Sequence, residues 1–193
     1  MTAPERPADR MPPLPDDRLT DAQRAAVETV TSGPRGKLLA CFAPLLRSPE
    51  MLTRVQAVGE YIRYQSILDD DLVELVILCV ARHWDQEFEW AIHQPLALEK
   101  GLPPEVVEGV GEGRRPAIGR VELAAVWDLV MQLQERHEVS DGVYDVALGL
   151  LGEEKLVEVL GTTGYYTTLA MVMNGVRTPP PPGAAPLPAR ATT

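Results

Sequence analysis

Thiols are scarce in this chain. Its two cysteines, Cys41 and Cys79, stand far apart and form no C-x-x-C, so neither a disulfide framework nor a zinc site is expected. Cys79 lies inside "LVELVILCVA", where a buried, inert thiol is the plain reading. Basic charge is also short: 18 Lys and Arg against 28 Asp and Glu leave a net charge of −10. That balance argues against nucleic acid as a partner, because phosphate binding rests on clustered Lys and Arg. No apolar run approaches the roughly 18 residues of a membrane helix, so no membrane span is expected. The N-terminal "MTAPERPADRMPPLPDDR" has no apolar core of a secretory signal, which makes the cytoplasm the expected location. Strand alternation is missing too. The fold class expected is all-α.

What is present suits a globular domain. Hydrophobic residues make up 45% and charged residues 24%, and 193 residues can bury a sizeable core. Residues 1–18 and 178–193 are Pro-rich and too poor in apolar residues to order themselves, so they read as an arm and a tail around one domain, 19–177. An oligomeric neighbour is one thing that would order them. Within the domain, "LTDAQRAAVETV" is helical and ends at Gly33, Pro34 and Gly36. Ser48 and Pro49 start a second helix, and Asp69 or Asp70 starts a third with acidic residues near its positive end. Gly101 gives a stop, Pro103–Pro104 a new start, and "AIGRVELAAVWDLVMQLQERH" has apolar residues at helical spacing. Ser140 caps "DGVYDVALGLL". The last helix, about Glu153 to Asn174, is apolar almost all round, as at a subunit interface.

One stretch concentrates what the rest lacks. "ARHWDQEFEWAIHQP", residues 81–95, holds two of three tryptophans and two of three histidines. Glu89 and His93, four apart, share a helix face; they are either a solvated pair or an acid–base couple. Glu74 sits in an apolar run, where a carboxylate needs a partner. That partner is either an arginine (Arg63, Arg82 or Arg35) or the Glu89–His93 pair itself. The second case requires the chain to turn back near His83–Asp85, since 15 residues of straight helix span about 22 Å. Asp85 would then cap the returning helix. His83 is a second proton carrier or a helix cap. Phe88 reads as core, while Trp84 and Trp90 stay open between core and pocket wall. Pro95 should bend the helix beyond His93. Arg35, in "GPRG", is a carboxylate anchor or a solvated loop residue. A divalent ion on Glu74, His83, Glu89 and His93 has too few sure ligands, and no metal is expected.

The segments "ELVILCVARHWDQEFEWAIHQPLALEKGL", "GPRG", "LLRSP", "GEYIRYQSIL" and "VSDGVYDVALGLLGEEKLVEVLGTTGYYTTLAMVMNGV" together resemble the carboxymuconolactone decarboxylase family, which includes the alkylhydroperoxidase D-like proteins. The resemblance spans about residues 20–178 and implies an all-helical subunit assembling into trimers or hexamers, with sites near subunit contacts. The family's redox branch carries E-x(11)-C-x-x-C-x-x-x-H. On this chain Glu74 and His93 take the outer positions, but Gln86 and Glu89 stand where the cysteines belong. Neither can supply a thiolate. The decarboxylase branch is similar in placing an acidic residue four before its histidine.

The expectation is therefore a cofactor-free acid–base enzyme acting on a small carboxylated lactone or keto acid. His93, paired with Glu89, moves the proton; Glu74 is a further carboxylate, and Arg35 or Arg82 holds the substrate. Two rivals stand beside it: a binding or scaffold protein of the same fold, and a redox protein using Cys79 or Cys41.

Overall fold

The computed structural model describes residues 8–191. Among them all regular structure is helical: α1 (Asp21–Ser32), α2 (Pro49–Tyr64), α3 (Asp70–His83), α4 (Glu87–Glu99), α5 (Pro104–Gly111), α6 (Val121–Arg136) and α7 (Asp141–Val176), with short 3₁₀ turns between α1 and α2. Helix α3 is the axis of the fold. Every residue from Leu72 to Arg82 is buried, and α4, α5, α6 and α7 pack around it, while α1 lies on α2. An apolar run with two charges in it thus becomes a helix with no wet face.

Local chemistry sets the helix ends. At α1, Thr20 Oγ1 accepts from the Gln23 N–H and the Gln23 side chain accepts from the Thr20 N–H, a capping box. Ser48 and Asp69 occupy the N-cap positions of α2 and α3, but neither side chain makes the cap bond. The Asp69 carboxylate is taken by Arg120 instead. The two segments expected around Gly152 are indeed separate helical runs: Gly152 breaks α7 with φ 74° and ψ 169°, a conformation open to glycine and costly for other residues. Helix α7 is not buried all round, for Val146, Val157 and Met171 are exposed.

The turn between α3 and α4 positions the site. Gln86 N–H donates to Ala81 O (2.8 Å) and Asp85 N–H to Arg82 O (3.3 Å), the paired bonds of a Schellman ending. Asp85 takes the left-handed position, φ 47°. The chain does turn back at His83–Asp85, but the cap expected of Asp85 belongs to Gln86, whose side chain accepts from the Phe88 N–H. Asp85 is already committed to ending α3. Helix α4 then runs back along α3, with Pro95 inside a helix that continues to Glu99.

Where unanchored arms were expected at 1–18 and 178–193, the described parts make specific contacts. Arg10 N–H and its guanidinium reach the carbonyls of Val176 and Gly175, and Arg47 donates to Pro12 O. On the opposite side, Arg82 donates to Pro188 O, Arg190 to Arg82 O and Asp85, and Ala191 N–H to Glu112 O. Guanidinium–carbonyl bonds hold these segments where apolar burial cannot. Residues 1–7 and 192–193 of those arms lie outside the described residues.

Candidate active site

Folding α4 back over α3 brings Glu74, Glu89 and His93 together, each under a tenth exposed (1%, 4% and 6%). The imidazole sits between the carboxylates. Its Nδ1 lies 2.8 Å from Glu74 Oε2, and its Nε2 lies 3.3 Å from Glu89 Oε2. Glu74 Oε1 accepts a hydrogen bond from the Arg63 guanidinium, delivered by α2. The two roles weighed for Glu74 are therefore not exclusive, because one oxygen takes the arginine and the other the histidine.

Burial by itself disfavours the His93 imidazolium, but the hydrogen bonds and charges of Glu74 and Glu89 outweigh it and raise the pKa above its ordinary value. For Glu74, burial opposes ionisation, yet bonds and charges from His93 and Arg63 prevail and lower the pKa. The surroundings thus favour the charged form of the imidazole, which lies between Glu74 and Glu89 with Arg63 behind Glu74.

Glu89, His93 and Arg63 form one wall of a chamber of about 190 Å³, lined elsewhere by Arg35, Tyr64, Tyr165 and Tyr166 among others, with Glu74 behind the imidazole. The Tyr166 ring meets the His93 ring edge-on, 5.4 Å between centroids, and Tyr165 meets Tyr166 likewise at 5.1 Å. Burial, and then mainly the Glu89 charge, pushes the Tyr166 hydroxyl's pKa well up, so it stays a donor. Arg35 lies over the Phe42 ring, 5.2 Å from its centroid, and makes no hydrogen bond or ion pair among the described residues. Its buried Nε has no partner, and neither has Glu89 Oε1. A free cation and a free carboxylate oxygen therefore line one small cavity. Gly59 of α2 makes room for them: a Cβ there would sit 2.0 Å from the Tyr165 hydroxyl and 2.9 Å from the Arg35 guanidinium.

The other residues singled out in the sequence fall elsewhere. His83 is nine residues beyond Glu74 on α3, about 13 Å along the axis. It neighbours Glu135, Asp85, Arg190 and His137, and burial lowers its pKa. Arg82 donates to Gly111 O, Pro188 O and Asp85, so it braces the C-terminal segment and does not line the chamber. The Trp90 ring packs over Gly111 and near Pro188. Trp84 ends α3, where its carbonyl accepts from Asn174. Trp90 is not among the residues that line the chamber Glu89 faces. The sequence reading missed Tyr165 and Tyr166, although "TTGYYTT" is a polar island in the apolar helix α7. Among the described residues, no group of three or more His, Cys, Asp or Glu has metal-holding geometry.

No protein-family model matches the sequence, and a search of curated proteins finds no match. Solved structures do match in fold. An uncharacterized peroxidase-related protein from Silicibacter sp. TM1040 superposes with a TM-score of 0.72 at 13% identity, over 93% of this chain and 96% of that one. A second, an uncharacterized peroxidase-related protein from Ralstonia eutropha JMP134 described as an alkylhydroperoxidase AhpD core, gives 0.71 at 16% identity, over 92% and 95%. A protein of unknown function from Agrobacterium tumefaciens, described as a candidate antioxidant-defence AhpD, gives 0.63 at 18% identity, over 70% and 93%. The chain has the alkylhydroperoxidase D-like fold.

Proposed function

We propose that the chain is a cofactor-free proton-transfer enzyme that decarboxylates or isomerises a small carboxylated lactone or keto acid. One observation carries this reading: a buried histidine held between two carboxylates faces a chamber that also holds an unpartnered arginine. Arg35 supplies the anchor for the substrate carboxylate or for negative charge developing on a carbonyl oxygen. Loss of carbon dioxide from a β-keto acid leaves an enolate. His93, whose protonated form Glu74 and Glu89 favour, protonates it, and solvent returns the proton. Glu89 Oε1 accepts from a substrate hydroxyl or enol. Glu74 and Arg63 keep the imidazole oriented and positively charged. The exposed apolar residues of α2 and α7, Val58, Tyr61 and Val157 among them, support assembly of copies of the chain.

Cys41 lines the same chamber, but burial first and the Glu89 charge second push its thiol pKa far up. That favours a proton role for the chamber over a thiolate one. A thermal-shift screen of small carboxylated metabolites, followed by carbon dioxide release and NMR of the products, tests the reading. His93→Ala and Glu89→Gln should each abolish most turnover. Unchanged turnover in both would sink it, and a ligand bound but never converted would mark a binding module instead.

A further inference from the structure

The His93 chamber does not end at His93. Leu39, Cys41, Glu89, Ile92 and His93 also line a second, larger cavity of about 490 Å³, so they form a partition between two spaces. The two are unlike. The inner one holds the arginines and tyrosines. The outer one is walled by Met11, Pro13, Leu38, Pro44, Phe88 and the run Pro179–Pro182, with Asp9 and Lys37 its only side chains of opposite charge besides the partition. Its roof is the part of the molecule the sequence presents as loose, the two terminal segments, held by Arg10 on Gly175 and Val176 and by Arg47 on Pro12. A wall of prolines and carbonyl-anchored backbone is stiff, and a space of this size matches those that bury drug-sized ligands.

We propose that the substrate is amphipathic: a carboxylic acid whose charged end sits under Arg35 in the inner chamber and whose apolar body, an alkyl chain or ring, fills the outer cavity. The inner chamber alone has the volume of about six water molecules, at ~30 Å³ each, which suits a head group and little more. The outer walls are mostly apolar, their polar side chains beyond the partition being Asp9, Lys37 and the unpartnered Thr178 hydroxyl. A small dicarboxylate would leave most of the outer cavity unused. This inference rests on the inner chamber being the reaction site, and it makes the outer cavity the determinant of specificity.

Binding of straight-chain carboxylic acids, from acetate to dodecanoate, measured by calorimetry on the full chain, tests it without any turnover. Affinity should rise about three- to fourfold per added methylene until the cavity is full, then level off. Ala40 is exposed and lines only the outer cavity. Ala40→Trp should therefore weaken the longer acids at least tenfold and leave acetate nearly unchanged. Arg35→Gln should weaken the whole series. Affinity independent of chain length, or equal losses for short and long acids in Ala40→Trp, would overturn the proposal. Chain-length-dependent binding with full turnover in His93→Ala would uphold this inference and refute the proton-transfer reading.

Discussion

Helix α3 buries one charge near each end, and the two behave differently. Glu74, near its start, meets a titratable imidazole and an arginine, and borders a small pocket separate from the His93 chamber. Arg82, near its finish, meets two backbone carbonyls and the half-exposed Asp85, with the C-terminal segment closed over it. Both charges are paired, as buried charges must be. The partners separate the roles. Carbonyls of fixed backbone cannot change protonation, so Arg82 is a brace. An imidazole between two carboxylates can, and under the proposed function Glu74 belongs to a device for holding and releasing a proton.

Four experiments press on that contrast. The largest difference is expected in catalysis: His93→Ala should lower kcat/KM about 10²- to 10⁴-fold, whereas His83→Ala at the other end should leave it within about twofold. Comparable losses in both would erase the distinction. In stability, Glu74→Gln strips Arg63 and His93 of a buried counter-charge and should cost about 3–5 kcal/mol in urea unfolding. Arg82→Met leaves carbonyls unsatisfied beside a partly exposed aspartate, and about 1–3 kcal/mol is expected.

The third contrast is one of sign. The His93 pKa is raised in the fold, so its proton stabilises the native state fully below the ordinary value of 6.5. That contribution fades as pH climbs through the higher folded value. His83 is lowered, so its contribution is present above 6.5 and is lost as pH falls toward the folded value. Unfolding measured from pH 5 to 9 should therefore gain at high pH, relative to wild type, in His93→Gln and at low pH in His83→Gln. The smallest effect concerns the tail: Arg190→Ala removes a half-exposed contact to Asp85 and Arg82 O and should cost about 1 kcal/mol or less. It should leave chemistry at His93 untouched, as substrate assays would show.

Much of this was legible in the sequence. An ionisable residue inside "LVELVILCVA" marked Glu74, and the four-residue spacing tied Glu89 to His93. The requirement that they meet forced a turn where one is found. Periodicity could not say which neighbour of Glu89 faces the same way, so Trp90 remained open until the helix was seen to bury it against Gly111. Nor could it bring Tyr165 and Tyr166 alongside His93, because that contact spans more than 70 residues and depends on how α7 crosses α3 and α4. Arg82 misled for a physical reason: in the sequence, a buried arginine looks the same whether it meets a ligand or a carbonyl. The Pro-rich ends misled because their anchors are polar, and composition counts only apolar burial.

The three-residue joint Trp84–Gln86 has a consequence for how tolerant the chain is of length changes. Its bonds fix the rotational phase of α4 against α3 as firmly as its direction. One residue more or fewer there would break the paired bonds that end α3 and the cap that starts α4, and with them the alignment of Glu89 and His93 on Glu74. A point substitution in the joint leaves the phase alone; an insertion scrambles it. Deletions and duplications among residues 84–86 should silence the protein.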